Sequence, residues 1–218
     1  MSLFSRTKTT LPDRERALRG RSDRPFMLAA RHRVLDAPLV TDEVPAGYEV
    51  AIFGLGCFWG AEEIYWQLPG VWSTSVGYAG GYTEHPMYEE VCSGATGHTE
   101  AVRVVFDPEV VAYADLVKRF FEVHDPTQGM RQGNDVGTQY RSAIYATTPE
   151  QEKVARELTQ EYGAELARRG FDPITTEIKL VEDGEPAYYY AEDYHQQYLD
   201  KHPNGYRCHS TTGVPFPA

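Results

Sequence analysis

Between residues 50 and 68 the hydrophobic pattern changes period. A short apolar run, residues 50–53, reads as a strand and passes through Gly54-Leu55-Gly56. From Cys57 onward Phe58, Ala61, Ile64 and Tyr65 fall on one stripe at helical spacing through residue 68, and Pro69-Gly70 ends it. A strand feeding straight into an amphipathic helix opens an alternation of the two, and helices interleaved with strands point to helices packed on a sheet. The remaining pattern agrees. Residues 71–78 read as a strand closed by Gly80-Gly81, and residues 98–106 alternate as a half-buried strand does. Residues 112–123 form a second helix with Leu116, Val117, Phe120 and Phe121 inward. A glycine-rich polar stretch, 124–138, leads to a short strand at 142–145. Thr148-Pro149-Glu150-Gln151 is a capping box with proline at the first helical position, opening a helix that runs to Arg169 and Gly170. Residues 174–181 read as a further strand, the tyrosine-rich 188–202 as a final helix, and the tail is irregular. The expectation is an α+β protein built as a two-layer α/β sandwich.

A length of 218 residues fits one domain with an extension. Residues 1–47 show little periodicity and read as an arm that lies over the domain or is partly loose. The periodic elements occupy 48–218. The net charge is −11, yet residues 1–33 carry nine Lys/Arg against three Asp/Glu, so the acidic excess lies in the body. An acidic body argues against nucleic acid as the main ligand. No apolar run is long enough to cross a membrane, and the amino terminus has no apolar core of the secretory kind. The expected setting is cytoplasmic, with no membrane partner.

Three cysteines, Cys57, Cys92 and Cys208, are an odd number and too few for a secreted disulfide framework. Each can be a buried, inert thiol. Cys57 stands apart because it sits where the strand turns through glycines into the helix. Unpaired N–H groups and the positive end of the helix dipole gather there and favour a thiolate, open to solvent. Gly54, Gly56 and Gly60 let a substrate approach the backbone, while Phe58 and Trp59 offer an apolar wall. The plainer alternative is a small residue packed at a tight turn. Strand alternation also puts Glu100 on one face with His98, Val102, Val104 and Phe106. A carboxyl among apolar neighbours is desolvated, so its charged form is disfavoured and it can carry a proton near neutrality. Its plainer alternative is a glutamate at a strand end, hydrogen-bonded to backbone.

Gly56-Cys57-Phe58-Trp59-Gly60 resembles the active-site signature of the peptide methionine sulfoxide reductases of the A type. Further blocks resemble the same family: Gly77-Tyr78-Ala79-Gly80-Gly81, Tyr88-Glu89-Glu90-Val91-Cys92-Ser93-Gly94, Thr96-Gly97-His98-Thr99-Glu100, Gln132-Gly133-Asn134-Asp135, Gly137-Thr138-Gln139-Tyr140-Arg141-Ser142, and the run from Tyr190 to Tyr198. The likeness covers the chain from Gly47 to the tail, and the long arm resembles one branch of the family.

That resemblance implies a ferredoxin-like mixed sheet with helices, with 48–218 as the catalytic domain and a mobile tail from about residue 203. It implies Cys57 as nucleophile, Glu100 as general acid, and Tyr88 and Tyr140 holding the sulfoxide oxygen. Asp135 belongs to the same pocket, and Phe58 and Trp59 enclose the substrate methyl. The implied substrate is methionine-S-sulfoxide, free or in oxidised proteins. Its reduction leaves Cys57 as a sulfenic acid. Cys208 then closes a Cys57–Cys208 disulfide, which thioredoxin reduces by exchange. Cys92 is a buried bystander, Tyr188, Tyr189 and Tyr190 are packing residues, no metal or organic cofactor is needed, and the protein is a monomer. One departure stands out. Many long members carry Gly-Tyr-Cys and a second tail cysteine, whereas here Arg207 precedes Cys208 and no cysteine follows. This implies a relay with a single resolving thiol.

Two other readings stand beside this one. A cysteine hydrolase would use Cys57 with His98, His124 or His195 as base, but the surroundings of Cys57 lack the papain or caspase signatures. A metal-binding interaction module would draw on His195, His202, Cys208 and His209, whose spacing matches no zinc pattern. His98-Thr99-Glu100 has the H-x-E form of nucleobase deaminases without the partnering P-C-x-x-C.

Overall fold

A computed structural model describes residues 8–181, 188–208 and 210–217. Along the chain come β1 (Glu49–Leu55), α1 (Phe58–Trp66), β2 (Val71–Ala79), the short α2 (Tyr88–Cys92), β3 (Thr99–Phe106) and α3 (Tyr113–Val123). A small ribbon, β4 (Arg131–Gln132) and β5 (Asp135–Val136), precedes β6 (Ser142–Ala146) and α4 (Pro149–Arg168). Then follow β7 (Glu177–Leu180), β8 (Tyr189–Tyr190) and α5 (Tyr198–Lys201). One sheet runs in the order β7-β6-β1-β3-β2-β8. Within it β6, β1, β3 and β2 pair antiparallel, and β1-α1-β2 with β3-α3-β6 makes the split βαβ arrangement of a ferredoxin-like unit. β7 adds a parallel neighbour to β6, and β8 an antiparallel one to β2, so the sheet is mixed.

Helices cover one face. Phe53, Val102, Val104 and Phe106 pack there against Tyr65 of α1, Leu116, Val117, Phe120 and Phe121 of α3, and Tyr162 of α4. The ring of Phe120 is fully buried, 5.6 Å from that of Phe53 and 5.0 Å from that of Phe121. Phe120→Ala would leave a hole between sheet and helix that rigid neighbours cannot fill. It is expected to lower the unfolding free energy by about 3–5 kcal/mol in a urea titration.

The α4 cap follows the sequence with one shift. Thr148 accepts from the Gln151 N–H at 3.1 Å, but the Gln151 side chain reaches the Thr147 N–H, also at 3.1 Å, rather than that of the cap residue. Three expectations need correction. Residues 98–106 are buried on both faces, not half-buried. β3 lies mid-sheet, and its second face is covered by the arm, where Arg103 donates to the Thr41 carbonyl at 2.8 Å, and by Tyr188 packing near Ala101. The strand at 174–181 shortens to β7, because the Thr175 N–H turns away to the Pro126 carbonyl at 2.8 Å. In 188–202 only α5 is helical. Gln196 spends its amide on both backbone groups of Val76, at 2.8 and 2.9 Å, and Gln197 sits at φ 45°, so this stretch is tied to β2 instead of to itself.

The arm packs over the domain. His32, Ala37 and Leu39 are buried, the Leu18 N–H donates to the Ala95 carbonyl at 2.9 Å, and Arg21 forks onto Glu90 at 2.7 and 2.8 Å. The expected mobile tail is also pinned. Val214 is buried, the Tyr162 hydroxyl donates to its carbonyl at 2.7 Å, and Phe216 stacks on Tyr162 with ring centres 5.3 Å apart. An apolar pair late in the tail supplies the burial that holds it.

Candidate active site

β1 ends at Leu55, and Gly56 turns the chain with φ +92°. A Cβ there would also lie 2.7 Å from Cγ of Gln132, so glycine is required both for the turn and for the close passage of β4. Cys57 is the N-cap of α1. Two of the unpaired N–H groups of the first turn serve the chemistry directly. That of Phe58 donates to Oε2 of Glu100 at 3.0 Å, and that of Trp59 to the Cys57 sulfur. Glu100 arrives from β3, opposite Tyr78 of β2.

Cys57, Phe58, Trp59, Tyr88, Glu100, Asp135 and Tyr140 line one cavity of about 220 Å³. They come from the start of α1, from α2, β3 and β5, and from the short 3-10 turn Thr138–Tyr140. Cys208 does not line this cavity. It shares with Cys57 a second cavity of about 200 Å³ on the α1 side, so Cys57 lines both.

Glu100 is fully buried, and desolvation raises its pKa to about 8, with the Asp135 charge adding to the rise and the Phe58 N–H opposing it. Moving from 4.5 to about 8 makes ionisation harder by roughly 5 kcal/mol. A helix N-terminus returns at most about 2 kcal/mol, so burial wins and the acid is protonated at neutral pH. The same balance overturns the expected resting thiolate. Burial, then the Glu100 charge, pushes the Cys57 thiol up, and the Trp59 N–H only partly offsets this. Cys57 is half-buried among aromatic walls and rests as a thiol. Burial also raises Tyr88 and Tyr140, so both hydroxyls stay protonated and able to donate.

Several neighbours escaped the sequence reading. Tyr206 lines the cavity, and its hydroxyl donates to Oδ2 of Asp135 at 3.0 Å. Trp59 stacks on Tyr198 at 3.7 Å, and its indole N–H donates to Nδ1 of His195 at 3.2 Å. Glu192 accepts from the Tyr88 N–H and the Tyr78 hydroxyl, both at 2.8 Å. The run from Tyr190 to Tyr198 was the available signal, but only folding shows which of its members face Trp59. Cys92 is half-buried rather than buried, because α2 is a short outer helix, and its sulfur is hydrogen-bonded to the Tyr88 hydroxyl.

The rival readings find no arrangement. His98 is engaged by the Gly81 N–H and the Thr83 carbonyl, and His124 by the Phe120 carbonyl and the Ser142 hydroxyl. His195 is held by Trp59 instead of by the thiol. Among the described residues no group of three or more His, Cys, Asp or Glu is gathered as a metal site, and His209 lies outside them.

Comparison with known proteins identifies the family. The family model for peptide methionine sulfoxide reductase matches residues 49–214. A peptide methionine sulfoxide reductase of Azorhizobium caulinodans is 57% identical over 214 residues, spanning 98% of this chain and 95% of its own. One from Streptomyces griseus is 59% identical over 207 residues, spanning 95% and 92%. The solved structure of methionine sulfoxide reductase A of Corynebacterium diphtheriae superposes with a TM-score of 0.84 at 46% identity, covering 96% of this chain and all of that one. The chain belongs to the peptide methionine sulfoxide reductase family and is an oxidoreductase.

Proposed function

We propose that this chain reduces methionine-S-sulfoxide, free and within proteins, by a sulfenic acid on Cys57 that Cys208 converts to a disulfide for thioredoxin to reduce. The observation that carries this is one small cavity in which the Cys57 sulfur and a protonated Glu100 share aromatic walls. A sulfoxide places positive charge on sulfur and negative charge on oxygen. Phe58 and Trp59 take the methyl, while Tyr88 and Tyr140 donate to the oxygen. The positive sulfoxide sulfur favours the anionic form of Cys57 at the moment of attack, although the resting group is a thiol. Glu100 gives its proton to the oxygen and recovers the one Cys57 releases. The net change converts one thiol and one sulfoxide into a sulfenic acid and a thioether, with atoms and electrons balanced.

Cys208 then attacks the Cys57 sulfur. The S–S bond forms, the S–O bond breaks, and the hydroxyl leaves with the Cys208 proton as water. Thioredoxin, a dithiol, reduces the disulfide by exchange, so the cycle calls on no metal or organic cofactor. Free cysteines at all three positions suit a reducing, cytoplasmic setting, and a monomer suffices because every proposed group lies on one chain.

Cys208→Ser is the test. It is expected to release about one methionine per enzyme in a single turnover and then stall with thioredoxin, leaving Cys57 open to dimedone. Mass spectrometry of the unaltered protein, treated with substrate and no reductant, is expected to find Cys57 linked to Cys208. Normal thioredoxin cycling in the variant would move the resolving role elsewhere, with Cys92 the first position to inspect.

A further inference from the structure

Arg207, which separates Tyr206 from Cys208, forms a two-pronged ion pair with Glu63 of α1. Nε lies 2.6 Å from Oε2 and Nη2 lies 2.7 Å from Oε1. The remaining Nη1 donates to the carbonyls of Pro203 at 2.9 Å and Gly205 at 3.3 Å, so the guanidinium binds its own loop as well as the helix. Among the described residues no backbone–backbone hydrogen bond involves 206–217, and side chains alone hold this segment. The later part is anchored by Val214 and Phe216 on Tyr162. Next to Cys208 the one two-pronged, charge-assisted restraint is the Arg207 fork, since the thiol itself has single contacts, with the Gln132 carbonyl at 3.6 Å and with the Tyr206 hydroxyl. Glu63, Arg207, Cys57 and Cys208 line the same cavity, and neither Glu63 nor Arg207 lines the substrate cavity.

We propose that the Arg207–Glu63 pair is the clamp that sets the resolving thiol against the Cys57 sulfur, and that it governs disulfide closure without touching sulfoxide reduction. This rests on Cys208 being the resolving thiol. A fork-to-fork arginine–carboxylate pair fixes orientation as well as distance, which a lysine at the same place would not. Both side chains are about three-quarters buried, so the pair is less screened than one in open solvent. Closure joins two sulfurs within one chain, and its rate follows how often the Cys208 sulfur lies in line with the breaking S–O bond. The clamp raises that fraction. Arg207 and Glu63 are positioning residues, since neither touches the reacting atoms.

The full chain is mixed with methionine sulfoxide in the absence of reductant and quenched into dimedone at timed intervals. Released methionine and the state of Cys57 are then read by mass spectrometry. In Glu63→Gln and in Arg207→Met, methionine release keeps its unaltered rate, which also reports a folded substrate site. Disulfide closure slows roughly 10- to 100-fold, and the dimedone adduct of Cys57 accumulates. The charge-reversed pair Glu63→Arg with Arg207→Glu is expected to close faster than either single variant. Closure at the unaltered rate in both single variants, with Cys208→Ser still accumulating the adduct, would overturn the clamp and leave the resolving role intact. Failure of the reversed pair to recover any rate would assign the slowing to lost packing and would likewise overturn it. A disulfide closing normally in Cys208→Ser would instead remove the reading on which the clamp rests.

Discussion

Cys57→Ser is expected to leave no measurable reduction of methionine sulfoxide, whether thioredoxin or dithiothreitol supplies the electrons. The swap is nearly isosteric at the N-cap of α1, and serine is a favoured cap, so the fold and its melting temperature should be preserved. The chemistry is not. Accepting the sulfoxide oxygen on serine would create an O–O bond, whereas on cysteine it creates a sulfenic acid, the first rung of ordinary thiol oxidation. A loss on the order of 10⁴-fold or more in methionine release follows from removing a nucleophile that the other groups cannot replace. Dithiothreitol can stand in for thioredoxin and for the resolving thiol, but not for the atom that takes the oxygen. Methionine release persisting in this variant would place the reaction on another residue.

Glu100→Gln is the second large effect. It keeps the size and hydrogen bonding of the buried side chain but removes its proton, and a drop in kcat of about 10²- to 10⁴-fold is expected. The pH profile separates this role from a structural one. In the unaltered enzyme the active form carries the proton, so the rate should fall as pH rises through about 8. In the glutamine variant the residual rate should lose that descending limb.

Stability of the unaltered protein should fall over the same range of pH. The folded pKa, about 8, exceeds the ordinary 4.5, so the native state holds a proton that the unfolded chain releases. The resulting stabilisation is complete below about pH 4.5 and is lost as pH rises through about 8, for a total of roughly 5 kcal/mol. Glutamine has no such dependence. Urea titrations at pH 5 and pH 9 should therefore show the variant gaining on the unaltered protein at the higher pH. Buried Glu62, with a pKa near 7, titrates in both proteins and cancels from the difference. An unchanged alkaline limb in the variant would remove Glu100 as the proton donor.

Both predictions start from features visible in the chain. The strand–glycine–helix junction at Cys57 could be read from periodicity, because 3.6-residue and 2-residue repeats follow from backbone geometry. Alternation along 98–106 correctly put Glu100 on the face of Val102 and Val104, which turned out to be the helix-covered face. What failed was any property set by covering layers. The two-sided burial of β3 depends on an arm and a loop remote in sequence. The 188–202 stretch has residues compatible with a helix, yet its glutamines satisfy β2 and α1 instead, with Gln197 donating to Glu62 at 2.8 Å through both its backbone and side-chain nitrogens. The tail looked loose from composition alone, since glycine and polar residues dominate its start and the stacking of Phe216 on Tyr162 involves a helix far upstream.

Local order along the chain therefore determined the alternation of helix and strand, the junction that carries the sulfur, and the family resemblance that named the partners of that sulfur. Tertiary structure alone decided how those groups are charged and aimed. Ionisation depends on solvent excluded from every side at once, so the same helix start that favours a thiolate in isolation holds a neutral thiol beneath Trp59 and beside a protonated Glu100. The ion pair that holds Arg207, the neighbour of Cys208, against α1 joins residues 144 positions apart, a separation that no pattern in the amino-acid order reveals.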